Sequence, residues 1–279
     1  MDTVTQGTGR IMLFAGDQKV EHLNDDFCGE SISEEDNNPE HMFAIASKAR
    51  IGAFATQFGL IARYGGDYKN IPYIVKLNSK TNLIKTTQKD PESPEWFKLE
   101  QIIDFKKNNA LNIAGIGFTV YLGSEFEGAM LHQAAQLTYW AHYHGLLSIL
   151  WMYPRGKAVP NEKDPHIVAG AAGVGATLGA DFVKVNYPKA QNPAVALKEA
   201  VTAAGRTKVI CAGGEKEDMP TFLQTLHDQL HIAGTGGNAT GRNIHQRPLS
   251  EAIQFANAIA SLTFDNTSVA DALKEIHGN

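Results

Sequence analysis

The sequence predicts a (β/α)8 (TIM) barrel, and three observations carry the prediction. Eight short apolar runs alternate with longer amphipathic stretches along the chain. The runs end in polar or charged residues, as barrel strands do at the mouth of the fold. The length of 279 residues suits one barrel, which typically needs about 250 residues. Residues 1–279 therefore read as a single domain with a short N-terminal extension.

The elements follow in order. Ile11–Asp17 (IMLFAGD) is the first strand, and His41–Arg50 a helix. Gly52–Gly59 and Ile71–Asn78 are the second and third strands; Pro72 stands at the start of the latter, where its missing donor does least harm. Ile113–Gly123 holds the fourth, and the helix Glu127–His144 is closed by Gly145. The fifth strand, Leu146–Pro154, precedes a helix over Pro165–Leu178; the sixth, Asp181–Pro188, precedes one over Asn192–Ala204, closed by Gly205. Thr207–Gly214 is the seventh strand, Glu217–Leu230 a helix, His231–Gly237 the eighth strand and Pro248–Leu262 the last long helix. Asp25–Glu40 and Thr81–Pro94 are long polar loops leaving strand C-termini, placed to cover a site. Near-continuous apolar strands suit a parallel sheet buried on both faces. An open doubly wound sheet ranks second, because the first strand–helix junction has no GxGxxG turn.

Bulk properties narrow the function. A formal net charge of −5 argues against a dedicated nucleic-acid binder. Two cysteines, Cys28 and Cys211, make no disulfide framework and suit a reducing cytoplasm. The N-terminal MDTVTQGTGR lacks the features of a signal peptide, and no apolar stretch approaches a membrane span. The expectation is a soluble cytoplasmic protein.

In a barrel the chemistry gathers at strand C-termini, which selects Asp17, Lys76, Asn78, Tyr121, Trp151, Tyr153, Arg155, Lys184 and Asn186. Lys184 alternates with Val183 and Val185, so the valines can supply the helix-facing side and leave the lysine facing inward. An enclosed lysine loses affinity for its proton and becomes a nucleophile for carbonyls; an outward lysine with a snorkelling stem is the alternative. Tyr153, one strand away, can carry protons, and Trp151 shares its face; an aromatic pair packing the mouth is the plainer reading. Arg155 can hold a phosphate or carboxylate, or be solvated. Asp17 can orient a lysine, bind a sugar hydroxyl or cap the next segment. Glu21 and His22 line the mouth or sit in an exposed loop. CAGG (Cys211–Gly214) and GTGGNATGRNIHQ (Gly234–Gln246) follow the seventh and eighth strands, where this fold usually binds phosphate; Gly213, Gly214 and Gly241 allow close approach of an anion and Arg242 adds a guanidinium. Tight turns alone are the other reading. His142 and His144 are two apart and no HExxH occurs, so spacing assembles no metal site.

The segments AGDQKVEH, VKLN, WMYPRG, GADFVKVNYP, CAGG and ATGRNIHQ together resemble the archaeal-type class I fructose-bisphosphate aldolases, the DhnA-like aldolase family. The resemblance runs from Asp17 to Gln246. It implies a Schiff-base lysine at Lys184, a tyrosine proton carrier at Tyr153 with Trp151 beside it, an aspartate at Asp17, and phosphate contacts at Gly213, Gly214, Gly241 and Arg242. It implies reversible cleavage of fructose 1,6-bisphosphate to dihydroxyacetone phosphate and glyceraldehyde 3-phosphate, without metal or organic cofactor, in a homo-oligomer. Where many relatives carry DHG at the first strand, this chain has Asp17, Gln18 and Lys19, which leaves open the roles of Lys19, Glu21 and His22. The alternatives are another Schiff-base aldolase, transaldolase or thiolase-like enzyme of the same family, acting on a different phosphosugar, and a non-catalytic phosphosugar-binding barrel. A phosphate-binding isomerase barrel would need a carboxylate or histidine base where Lys184 stands.

Overall fold

Strands that are apolar on both sides need cover on both sides, and closing the sheet into a ring within a layer of helices supplies it. The computed structural model describes residues 1–277. Its strands are β1 (Ile11–Ala15), β2 (Ala53–Gln57), β3 (Tyr73–Lys76), β4 (Ile113–Leu122), β5 (Leu147–Pro154), β6 (Phe182–Val185), β7 (Lys208–Ala212) and β8 (Gly237–Thr240). They form a closed parallel barrel in chain order, and β8 pairs back onto β1 with Phe14 opposite Thr240. The register sets Lys76 opposite Gly117, Thr119 opposite Trp151, and Trp151 opposite Lys184. Thr119, Trp151 and Lys184 thus share one inward row from β4 to β6, and Lys76 pairs into β4 two residues earlier.

The outer layer includes the helices Glu40–Lys48, Phe58–Tyr64, Leu99–Asn109, Glu127–Tyr143, Pro165–Thr177, Lys198–Ala204, Met219–Asp228 and Leu249–Ala260. Local chemistry starts several of them. Asp164 accepts from the amides of His166 and Ile167 ahead of Pro165, and Asp218 accepts from Thr221 N ahead of Pro220. Between the layers, Phe54 stacks on Phe14 and meets Phe43 edge-on, all fully buried; each such ring contributes roughly 1.5–3 kcal/mol by leaving water.

The sequence reading needs correction in three places. The eighth strand is Gly237–Thr240, not His231–Gly237: the preceding helix runs on through a π turn over Gln229–Ala233, which Gly234 ends in the left-handed conformation. The helix expected over Asn192–Ala204 is two pieces, Pro193–Ala196 and Lys198–Ala204, joined at Leu197, whose ψ of −16° flattens the turn. Phe58–Tyr64, Leu99–Asn109 and Val269–His277 are helices the reading did not anticipate.

Candidate active site

The C-terminal ends of the strands surround a cavity of about 620 Å³. Asp17, Trp151, Tyr153, Arg155, Lys184, Gly213, Gly214, Gly241 and Arg242 all line it, whereas Lys76, Asn78 and Tyr121, also selected at strand ends, do not. Glu21, His22 and Asn186 line it as well.

Lys184 faces inward. Its neighbour Val183 lies against Gly175 of the helix Pro165–Thr177, on the outer side. The Lys184 side chain is nearly enclosed, and burial holds its ammonium below the ordinary lysine range, against the opposing pull of Asp17 and Glu21. Among the described residues nothing accepts a hydrogen bond from its Nζ, which stands 5.1 Å from the centre of the Trp151 ring. That ring also lies 5.0 Å from Lys76 Nζ. Gly117 makes room for both partners: a Cβ there would come within 2.6 Å of the indole and 3.1 Å of the Lys76 stem. The indole Nε1–H is buried without a partner.

Lys76 is the main residue that sequence reasoning passed over after placing it at a strand end. It is fully buried, and burial pushes its ammonium down to about 8. Its Nζ donates to the carbonyl of Asn78 (3.0 Å), to Asn78 Oδ1 (3.4 Å) and to Thr119 Oγ1. Asn78 is itself held, donating to the carbonyls of Ser93 and Thr119 and accepting from Thr119 N. The available signal was the local sequence: Val75-Lys76-Leu77-Asn78 repeats the pattern of Val183-Lys184-Val185-Asn186.

Tyr153 is almost wholly enclosed. Burial, then the carboxylates of Asp17 and Glu21, push its phenol well above the usual tyrosine range, and Arg155 opposes them only in part. Tyr153 is thus a firmly held proton. The Asp17 side chain makes no capping bond to the short helix Gln18–Glu21 that follows it. Its carboxylate instead acts on Lys76, Lys184 and Tyr153 together.

Arg155 is half-buried and paired. Its Nη1 donates to Glu21 Oε1 (3.1 Å), and its Nε donates to both oxygens of Glu162 (3.1 and 3.0 Å). Tyr121 Oη also reaches Glu21 Oε1 (3.4 Å). Arg242 has a looser partner, Asp26, at 3.5 Å; His22 Nδ1 meets the same carboxylate at 2.8 Å. The two glycine runs have separate parts. The amide of Gly213 is spent on the Ala239 carbonyl (3.0 Å). Gly241 lets the chain pass the Gln18 side chain and the Ala15 carbonyl, which a Cβ would meet at 2.3 and 2.6 Å.

Lys19 is occupied away from the chemistry. Its Nζ donates to Asn24 Oδ1 (2.8 Å) and the Asn37 carbonyl (3.2 Å) over the ring of Phe27, stapling the loop after β1. That loop is tied to the segment after β8 by the buried pair Asp36–His245 (2.6 Å), stacked on Phe27. Asp90 performs the same service opposite, accepting from the amides of Glu125 and Lys157. Among the described residues, no three His, Cys, Asp or Glu side chains converge as metal ligands, and no helix is long and apolar enough to cross a membrane.

Comparison with known proteins finds aldolases. The pattern of the DeoC/LacD family aldolases matches residues 11–247. The chain is 57% identical over 276 residues to a fructose-bisphosphate aldolase/6-deoxy-5-ketofructose 1-phosphate synthase of Methanocaldococcus jannaschii, covering 99% of this chain and 88% of that one. It superposes on a fructose-bisphosphate aldolase from Slackia heliotrinireducens with a TM-score of 0.97 at 53% identity, over 99% of this chain and 88% of the other. An archaeal fructose-1,6-bisphosphate aldolase, with its catalytic lysine covalently bound to the carbinolamine intermediate of the substrate, superposes with a TM-score of 0.81 at 30% identity, over 94% of this chain and 97% of the other.

Proposed function

The chain belongs to the DeoC/LacD family of aldolases, and we propose that it is a class I, Schiff-base fructose-bisphosphate aldolase with Lys184 as the nucleophile. The observation that carries the reading is a buried lysine, free of hydrogen bonds and facing a cavity, beside an enclosed tyrosine.

Lys184 adds through its neutral amine to C2 of the open-chain ketose. Tyr153 gives its proton to the carbinolamine oxygen, water leaves, and the iminium becomes the electron sink. The phenolate so formed, beside Arg155 and strongly basic, takes the C4 hydroxyl proton as the C3–C4 bond breaks. Glyceraldehyde 3-phosphate departs, and the enamine is protonated and hydrolysed to dihydroxyacetone phosphate. Asp17 binds a substrate hydroxyl, and the Trp151 ring lines the cavity beside Lys184. The C1 phosphate lies at Gly213, Gly214, Gly241 and Arg242: the glycines leave the β7 and β8 ends without side chains of their own, and Arg242 gives the charge. No metal or organic cofactor enters any step. This placement fixes the carbonyl at Lys184, which is where most of the rate gain from positioning arises.

The M. jannaschii relative's second name favours a second reading, condensation with an aldehyde that carries no phosphate. The observation behind it is that Arg155 already holds two carboxylates. The functional unit is the one barrel, residues 1–279, acting as a cytoplasmic homo-oligomer. The free thiols of Cys28 and Cys211 suit a reducing compartment, and exposed Tyr139, Trp140 and Tyr143 suit a subunit contact.

Turnover of fructose 1,6-bisphosphate, measured with and without EDTA, tests the reading. Cleavage that survives the chelator and is lost in Lys184→Met is expected. Tight binding without cleavage, unaffected by that substitution, would establish the non-catalytic barrel instead.

A further inference from the structure

The two ends of the cavity treat anions differently. Going round the mouth, Arg155 follows β5, Lys184 lies on β6, Gly213 and Gly214 follow β7, and Gly241 and Arg242 follow β8. On the reading above, a ketose fixed at Lys184 by C2 points C1 toward β7 and β8. Its C4–C6 fragment then points past Tyr153 to Arg155, whose guanidinium carbon lies 5.8 Å from the Tyr153 ring.

At the β8 end the arginine has one carboxylate at 3.5 Å. At the β5 end the arginine is engaged on two sides, by Glu162 at the rim and by Glu21 inside the cavity. Lys80, near this corner, is committed to the Thr81 carbonyl (2.9 Å) and Asn82 Oδ1 (3.0 Å), while Lys163, in the loop after β5, lines the cavity as a further cation. Glu21 does not hang freely: its own carbonyl accepts from Asn82 N (2.9 Å), and Tyr121 donates to its carboxylate. A phosphate arriving at Arg155 must therefore share the guanidinium with Glu21 and meet a fixed negative charge. An aldehyde without a phosphate meets only hydrogen-bonding groups.

We propose that Glu21 is the specificity-determining residue of the aldehyde half-site, competing with the aldehyde's phosphate for Arg155 and so setting the choice between phosphorylated and unphosphorylated aldehydes. This rests on the aldolase reading. It turns one side chain into the determinant of how evenly the enzyme serves both kinds of partner.

The test runs the reaction in the condensing direction. Dihydroxyacetone phosphate is the donor, and the acceptor is D-glyceraldehyde 3-phosphate or D-glyceraldehyde. In Glu21→Gln the ratio of kcat/KM for the phosphorylated over the plain acceptor is expected to rise about tenfold, through a lower KM for the phosphorylated one. Glu21→Asp, which keeps the charge, is expected to stay closer to the parent ratio. A ratio unmoved in Glu21→Gln, with both acceptors affected alike, would overturn the inference and leave Glu21 a structural residue. Should Glu21→Gln not fold, Glu162→Gln relieves the same arginine from the rim: a smaller rise is expected, and no rise overturns the inference. A parent enzyme that condenses neither acceptor and forms no lysine adduct would sink the aldolase reading itself. A condensing parent with an unmoved ratio sinks this inference alone.

Discussion

Two buried lysines stand beside Trp151, and the same local sequence delivers both. Lys76 on β3 and Lys184 on β6 are each flanked by apolar residues, each followed two positions later by asparagine, and each about 5 Å from the indole. They differ in what surrounds the amine. Asn78 is fully buried and folds its carbonyl and amide oxygen back on Lys76. Asn186 lines the cavity, and the Lys184 amine is left without an acceptor. Burial lowers the proton affinity of both, yet only one is open to a carbonyl compound. Enclosure makes a lysine reactive only when its hydrogen bonds are withheld as well.

The contrast breaks most sharply under substitution. Lys184→Met is expected to lower kcat by roughly 10⁴-fold or more, because no other group can form the imine. Lys76→Met should cut turnover far less and still give an adduct on Lys184; steady-state kinetics on both variants decides. Tyr153→Phe is expected to lower kcat by roughly 10²–10³-fold while imine trapping persists, since it removes the proton carrier and not the nucleophile. Trapping lost along with turnover would place Tyr153 earlier in the reaction than proposed.

Stability should rank the lysines the other way. Lys76→Met orphans the acceptors on Asn78 and Thr119 and is expected to cost about 1 kcal/mol near neutral pH. Lys184→Met removes an enclosed amine with no partner and is expected to be neutral or slightly stabilising. Guanidinium melts of the two variants sharpen or erase the distinction. The same distinction extends to pH. Lys76 in the folded protein releases its proton at about 8, the unfolded chain at the ordinary 10.5. Between these values the unfolded state binds more protons, so the unfolding free energy rises with pH. The advantage of the parent over Lys76→Met should therefore widen from about pH 8 to 10.5, and a gap that narrows there would contradict the charge assigned to Lys76.

The comparison also marks how far the sequence could be read. The barrel was legible because seven strands are apolar and end in polar residues. β8 was not, since Gly-Asn-Ala-Thr has no hydrophobic pattern. Its Asn238 and Thr240 bond to each other, and Asn238 to Thr263, in the interior, while the more apolar His231–Ala233 just before it belongs to a π turn. Lys184, Tyr153 and Asp17 were readable from strand position. The partners of Arg155 were not, because Glu21 and Arg155 are 134 residues apart and meet only when the barrel closes. The Asp36–His245 tie, across 209 residues, escaped for the same reason.

The central claim is that of two similar lysines the one on β6 forms the imine. Incubation with dihydroxyacetone phosphate and borohydride, followed by peptide mass mapping, tests it directly. The account predicts a reduced triose phosphate adduct on Lys184 and none on Lys76. An adduct on Lys76, or an active enzyme with no modified lysine, would contradict it.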